Sequence, residues 1–369
     1  MNKTCINCSL CLLLLLLLSS CTLIKTLKYW SPGIEDSEKF PARLLIAAKE
    51  PYYFPVRSSP AVIDPKKFSA PNGLSFEDYL QRNNTVDFVI IRHDSLIYEK
   101  YFDGLTKDSA VLSFSISKVF TSALIGLAID DQLIRSVEEP VTNYLPEMRK
   151  NGFDQVTIKH LLQMTSGIRF REDEGSPFHE DAKFYYGSNL TRSALNLRLI
   201  RKPGAKFEYA SGNTQLLGLI LQRALKNKTI TEYLQEKIWN PLGMESAAKW
   251  NTDRKNKGIE KMFCCLNATA RDFAKFGNLY LHSGKFQNKQ VIPKEWVSQS
   301  VTADTTNGGS KNYKYQWWLS SRTKEFFAEG IINQFIYVNP DKNLVIVKLS
   351  KGYGVYNKWV FFGDIAKQL

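Results

Sequence analysis

The sequence predicts a mixed α/β fold of the α+β type. An antiparallel sheet is built from N- and C-terminal strands, flanked by helices, with a mostly helical region inserted. Three observations lead there. Strand-like apolar runs bounded by turn residues occupy 87–92 and 96–102 near the start, and 315–319, 326–328, 334–338 and 344–349 near the end. Between about 130 and 310 the pattern is helical or loop-like instead. A long apolar helix opens near 114, at the junction of the two regions, where clefts tend to form.

Taken in order, the chain starts like an exported protein. Met-Asn-Lys is a short basic opening, and Cys11 is followed by seven leucines, an apolar run too short to span a bilayer comfortably. The run ends in Leu-Ser-Ser-Cys at 18–21, which looks like the cleavage and lipidation site of bacterial lipoproteins. The expectation is a signal peptide over 1–20 and acyl chains on Cys21, tethering the mature chain to a membrane of the bacterial cell envelope. An uncleaved anchor or a simple secretory signal is the alternative. Residues 21–75, rich in Pro, Ser and Lys, read as a tether and lead-in. The main folded domain is expected over 76–369, with 130–310 as its helical subdomain.

Ser75 precedes Phe-Glu-Asp-Tyr-Leu as an N-cap does, so a helix begins there. The runs at 87–92 and 96–102 flank His93, Asp94 and Ser95 as a β-hairpin. Residues 157–167 form a helix with a glycine stop. Residues 169–189 (with Glu172, Asp173, Phe178, His179, Phe184, Tyr185 and Tyr186) lack a period and read as a loop over the site. Helical patterns follow at 216–225, 231–238 and 269–281, then the C-terminal strands and a closing helix near 357–368. Of Trp317 and Trp318, alternation on a strand sends one to the core and the other to the cleft or solvent.

With 369 residues the chain can bury a large core, and 44% hydrophobic with 23% charged residues argues against wholesale disorder. The net charge of +13 is spread along the chain without a basic run or an RNA-binding signature, so no nucleic-acid partner is expected. Attraction to an anionic membrane is a secondary use for it. Cys5, Cys8 and Cys11 would leave with the signal, and only Cys264 and Cys265 remain beyond Cys21. They give no disulfide framework and no metal quartet, and two buried small residues are favoured over a vicinal bridge. His93, His160, His179 and His282 show no metal-ligand spacing, and no Gly-x-Ser-x-Gly elbow or phosphate-cradling loop is present. No metal or cofactor is expected.

The chemistry-bearing stretch is Phe-Ser-Ile-Ser-Lys at 114–118. Val119, Phe120, Ala123, Leu124, Leu127 and Ala128 recur behind it at helical spacing. Ser115 falls at the helix start, where unpaired N–H groups favour a developing negative charge. Lys118, three residues on, lies on the same face, and burial can hold its amine neutral. Ser-x-x-Lys also occurs at Ser246/Lys249 and Ser321/Lys324, but neither opens an apolar helix, and both read as solvated surface. Acyl transfer further needs a proton relay and a second oxyanion donor. Tyr209, in Tyr-Ala-Ser at 209–211, sits on a loop before a helix, from which a side chain can face a cleft. Tyr186/Ser188 and Tyr337/Asn339 fit the same short pattern, the latter within a strand.

Order adds what single motifs lack. Positions 114–118 are followed by Leu-Leu-Gln-Met-Thr-Ser-Gly (161–167), Phe-Glu-Tyr-Ala-Ser (207–211) and Asn-Pro-Leu-Gly-Met (240–244). Leu-Asn-Ala-Thr-Ala-Arg-Asp-Phe-Ala-Lys-Phe-Gly (266–277) and Ala-Glu-Gly-Ile-Ile-Asn-Gln (328–334) complete the series. Together, over about 85–368, they resemble the serine β-lactamase-like hydrolases of the class C type, nearest the branch with 6-aminohexanoate-dimer hydrolases and related esterases. The resemblance implies Ser115 as nucleophile, Lys118 as general base and Tyr209 as proton relay. It implies an oxyanion held by the N–H groups of Ser115 and of Ile331 on the edge strand, in a β-lactamase/transpeptidase-like fold. Ser211, Glu329, Gly330, Tyr185 and Tyr186 are the pocket candidates.

The sequence also departs from that pattern. The strand motif usually starts with lysine or histidine, and here Ala328 and Glu329 stand there, which disfavours an anionic substrate. Asn333 replaces a glycine, Cys264 and Cys265 stand where glycines are common, and Met164 stands where a second histidine is common. The leading expectation is a membrane-tethered hydrolase of a small ester or amide. The alternatives are a β-lactamase or D-alanyl-D-alanine carboxypeptidase, and a non-catalytic ligand-binding relative.

Overall fold

The computed structural model describes residues 32–67, 73–172 and 179–369. Its principal sheet joins the two ends of the chain. In chain order the strands are β1 (Ala42–Leu45), β2 (Thr85–Arg92), β3 (Ser95–Tyr101), β4 (Val111–Leu112), β5 (Ala248–Asn251) and β6 (Leu266–Ala268). There follow β7 (Lys285–Phe286), β8 (Lys289–Gln290), β9 (Tyr313–Lys314), β10 (Trp317–Leu319), β11 (Phe326–Gly330), β12 (Gln334–Asn339) and β13 (Leu344–Ser350). The seven-stranded sheet runs β3-β2-β13-β12-β11-β10-β9, antiparallel throughout. The expected hairpin at 87–102 is β2–β3, and β13 lies beside β2 with Val89 opposite Val347 and Ile90 opposite Ile346.

Both faces of this sheet are covered, which is why its strands read as nearly continuous apolar runs. The side chains alternate: Val89, Ile91, Ile336, Val338, Val345 and Val347 enter the larger core, while Phe88, Ile90, Phe335, Tyr337 and Ile346 enter a second, aromatic one. The ten α-helices among the described residues are α1 (Phe76–Arg82), α2 (Ser117–Asp130), α3 (Ile158–Leu162), α4 (Glu180–Tyr186) and α5 (Leu190–Leu195), then α6 (Ser211–Leu225), α7 (Ile230–Leu234), α8 (Ala270–Leu281), α9 (Lys294–Val301) and α10 (Lys358–Gln368). Helices α1 and α10 close the aromatic core, and α2 and α8 supply the larger one. Helix α8 comes so near the sheet that a Cβ at Gly277 would stand 2.7 Å from Val345 and 2.8 Å from Ile336.

The structure differs from expectation in the inserted region and in the lead-in. The inserted region contains strands: β5 and β6 join β1 and β4 in a second sheet of order β1-β5-β6-β4, with β4 immediately before the turn that carries Ser115. The segment read as a loop over 169–189 includes helix α4. The lead-in is no mere tether from residue 34 onward. Leu45 pairs with Ala248 at the sheet edge, Leu45, Phe54 and Ile63 are buried, and Asp36 is buried against Tyr185. Pro-rich composition hid these anchors, which are single apolar residues spaced along an irregular path. Cys264 and Cys265 are joined as a vicinal disulfide, against the expectation of two separate buried side chains. The expected signal peptide and Cys21 lie outside the described residues, as do Asp173 and Phe178. No described helix is long and apolar enough to cross a membrane.

Candidate active site

The nucleophile turn is clamped where the two sheets meet. Phe114–Ile116 form a 3-10 turn leading into α2, so Ser115 stands just ahead of the helix rather than in its first turn. Phe114 adopts φ +46, a left-handed conformation costly for a bulky residue and common where function fixes the backbone. The turn is held from behind: the Ser113 N–H donates to the Leu266 carbonyl (3.0 Å), and the Leu266 N–H donates to Ser117 Oγ (2.9 Å). Ser113, Phe114, Ile116, Ser117 and Lys118 are buried, whereas Ser115 is half-buried.

Lys118 reaches forward from this base. Its Nζ lies 2.8 Å from Ser115 Oγ and donates to the Phe263 carbonyl at 2.9 Å. The amine also sits 4.9 Å from the centre of the Tyr209 ring. Burial disfavours the ammonium and pulls its pKa down to about 8, with the Glu172 carboxylate pulling the other way. A neutral amine at hydrogen-bond distance from a hydroxyl can accept its proton.

Tyr209 completes the triangle. It lies just before α6, with its phenol near enough to the Ser115 hydroxyl for that group to pull its pKa down. Its ring stacks on Trp318 (centroids 5.7 Å) and meets Tyr313 edge-on (5.9 Å). Burial, with the Glu172 and Glu329 carboxylates, raises the phenol's pKa, and the Ser115 contact lowers it, the balance being well upward. The phenol is therefore a proton-bearing donor across the neutral range.

Strand β11 forms the opposite wall. A Cβ on Gly330 would stand 2.4 Å from the Ser113 carbonyl oxygen, so only glycine lets this strand approach the nucleophile turn so closely. Ile331 follows in the turn to β12, half-buried, with Ile332 and Asn333 at φ +54 and +66. Strand β11 lies between β10 and β12, so the expected placement of Ile331 on an edge strand is corrected: sheet edges are β3 and β9. The run expected at 315–319 is β10 (Trp317–Leu319), and the two-residue β9, too short to show alternation, extends the sheet beyond it.

The pocket candidates divide. Ser211, at the start of α6, is buried and its N–H donates to the Glu172 carboxylate. Glu329 is half-buried and ion-paired with Lys358, whose amine lies 5.1 Å from the Phe327 ring centre and 5.6 Å from that of Trp318. The carboxylate is thus not left uncompensated, as the sequence implied. Tyr185 and Tyr186 belong to the core: the Tyr185 hydroxyl donates to Asp36 (2.9 Å) and its ring stacks on Phe114. Trp317 is the core-facing tryptophan and Trp318 the half-buried one beside Tyr209. Lys249 pairs with Glu38 and Lys324 with Asp341, so the two other Ser-x-x-Lys copies are surface features. Sequence reasoning missed the Phe263 carbonyl and Lys358, because a main-chain acceptor and a cation from a distant helix leave no local pattern.

A model of the Beta-lactamase family matches residues 76–357, most of the chain. The chain belongs to the beta-lactamase family. It is a serine hydrolase of that family's fold. The chain is 27% identical over 300 residues to a 6-aminohexanoate-dimer hydrolase of Paenarthrobacter ureafaciens, covering 74% of each chain. Protein flp of Staphylococcus aureus (strain COL) is 30% identical over 276 residues, 67% of this chain, which spans 54% of that longer protein. Among solved structures, a Bacillus anthracis chain designated a 6-aminohexanoate-dimer hydrolase superposes with a TM-score of 0.78 at 24% identity, covering 91% of this chain and 92% of its own. A class C beta-lactamase in complex with cefoxitin gives 0.60 at 17% identity, covering 79% and 96%. At these identities the structural likenesses speak for the fold.

Proposed function

We propose that this beta-lactamase-family chain cleaves a small ester or amide through an acyl-enzyme on Ser115. Lys118 takes the Ser115 proton as Oγ bonds to the substrate carbonyl carbon. The N–H groups of Ser115 and Ile331 receive the oxyanion. Tyr209 passes a proton to the leaving group as its bond to carbon breaks, and the Lys118 ammonium restores the phenol. Water then attacks the acyl-enzyme, giving up its proton along the same relay and releasing the acid and Ser115. The observation that carries this reading is the 2.8 Å approach of a buried lysine amine to a half-buried serine hydroxyl. The likeness to a protein named 6-aminohexanoate-dimer hydrolase places linear amides among the substrates to try. Attachment to a bacterial membrane through acylated Cys21 is part of the same proposal, and labelling by a radioactive fatty acid should disappear in Cys21→Ser.

The test is turnover of p-nitrophenyl esters, linear amides and nitrocefin by wild type and by Ser115→Ala. Turnover of an ester or amide that Ser115→Ala lacks is expected. Equal rates for both proteins would place the chemistry elsewhere. The family match favours β-lactam hydrolysis as the second reading. Nitrocefin turnover that outpaces every ester and amide would select it.

A further inference from the structure

The loop behind Lys118 carries two cysteines for which the proton relay has no use. Cys264 and Cys265 are bonded to each other and buried, at 3% and 0% exposure. The residues around them grip the start of α2. Thr121 Oγ1 donates to the Met262 carbonyl (2.9 Å), Lys118 Nζ to the Phe263 carbonyl (2.9 Å), and the Leu266 N–H to Ser117 Oγ (2.9 Å). From the other side the Trp250 indole N–H reaches the Cys264 carbonyl (3.0 Å), and the Asn251 N–H reaches that of Cys265 (3.0 Å). Cys265 itself is held at φ +74, where residues with a Cβ rarely rest. Every main-chain group that fixes the base is therefore within two residues of the sulfur bridge. The bridge closes a small ring through the intervening peptide and removes freedom that two separate side chains would retain.

We propose that the Cys264–Cys265 disulfide is a positioning element of the acyl-transfer site: it locks the 262–266 turn so that the Phe263 carbonyl holds the Lys118 amine against Ser115. This rests on the Ser115–Lys118 reading above. Misplacing a reacting group by an ångström lowers rates on the order of a hundredfold. A carbonyl oxygen beside the amine also favours its ammonium form, so withdrawing it lets the base deprotonate at lower pH.

The experiment compares the full-length wild type with Cys264→Ser/Cys265→Ser on a p-nitrophenyl ester, after intact mass has counted thiols by alkylation. The expected result is no alkylated thiol from this pair when the wild type is denatured without reductant before alkylation. In the variant, kcat should fall on the order of tenfold to a hundredfold with KM nearly unchanged, and the acidic limb of kcat/KM should move to lower pH. Unchanged kcat and limb in a folded variant would overturn the proposal. So would a loss of activity that only tracks a lowered Tm while the limb stays in place, the signature of a plain structural brace. Two free thiols in the active native protein would overturn it outright. If the variant does not fold, wild type refolded with a trialkylphosphine present supplies the same comparison. There the phosphine gives two electrons to the S–S bond and becomes the phosphine oxide with oxygen from water, leaving two thiols to be counted by mass. Full activity with both alkylated again contradicts the proposal. A wild type that no acyl probe labels at Ser115 takes the hydrolase reading down with this one. A labelled wild type with an unaffected variant removes only this one.

Discussion

Lys118 is surrounded by Ser115 Oγ, the Phe263 carbonyl and the faces of Tyr209 and Phe263, with 1% of its surface exposed. An ammonium is poorly solvated there, which is why its pKa falls to about 8. Lys118→Met keeps the apolar volume and loses the base, so ester turnover should drop roughly a hundredfold to ten-thousandfold. Ser115, Lys118 and Tyr209 were legible in the sequence because each sits at a fixed offset from the start of an apolar helix. The Phe263 carbonyl was not, since any residue type can present one. Away from the site, Asp87 is buried on β2 and neither carboxyl oxygen has a hydrogen-bond partner among the described residues. Burial pushes its pKa up to about 8, far above the unfolded value. The folded state then binds more protons than the unfolded one between roughly pH 4 and 8, so this group costs stability as pH rises through that window. Asp87→Asn removes the ionisation, and urea denaturation at pH 7.5 should show a gain of roughly 2 kcal/mol that shrinks toward pH 5.

At the scale of elements, strand β11 and the nucleophile turn are separated by the absence of one side chain. Gly330→Ala would drive a methyl into the Ser113 carbonyl at 2.4 Å and move strand and turn apart. Both proposed oxyanion donors depend on that spacing, so kcat should fall on the order of a hundredfold, read as p-nitrophenyl ester turnover. The main strands and α2 were readable because both faces of the sheet are buried and α2 is apolar nearly all round. Helix α4 was not, because Glu180–Tyr186 mixes acidic and aromatic residues and owes its burial to partners far along the chain. Strands β5 and β6 escaped notice for a related reason. They are short and carry Lys249, Asn251 and Asn267, whose side-chain N–H groups donate to Glu38, to main-chain carbonyls and, from Asn267 to Asn251, to each other.

Over the whole molecule, the N-terminal lead-in is tied to the catalytic machinery through a chain of contacts. Asp36 accepts from Tyr185, and Tyr185 stacks on Phe114, the residue before Ser115. Asp36→Ala leaves the Tyr185 hydroxyl buried without that acceptor. A loss of roughly 1–3 kcal/mol is expected, visible as a lower urea midpoint with an unchanged slope. An unchanged midpoint would mean the lead-in merely rests on the domain. The sequence showed a single sheet drawn from both ends of the chain. It did not show that residues 34–67 are part of the same body, because one strand and a few scattered apolar anchors carry no period.

The proposed acyl transfer turns on a neutral Lys118 removing the proton of Ser115. The most direct measurement is the pH dependence of the rate at which a fluorophosphonate acylates the protein, with the adduct mapped by peptide mass. The expected rate rises with pH through a midpoint near 8 and levels off above it, the adduct sits on Ser115, and the rise is absent in Lys118→Met. A rate flat across that range, or an adduct on another residue, would contradict it.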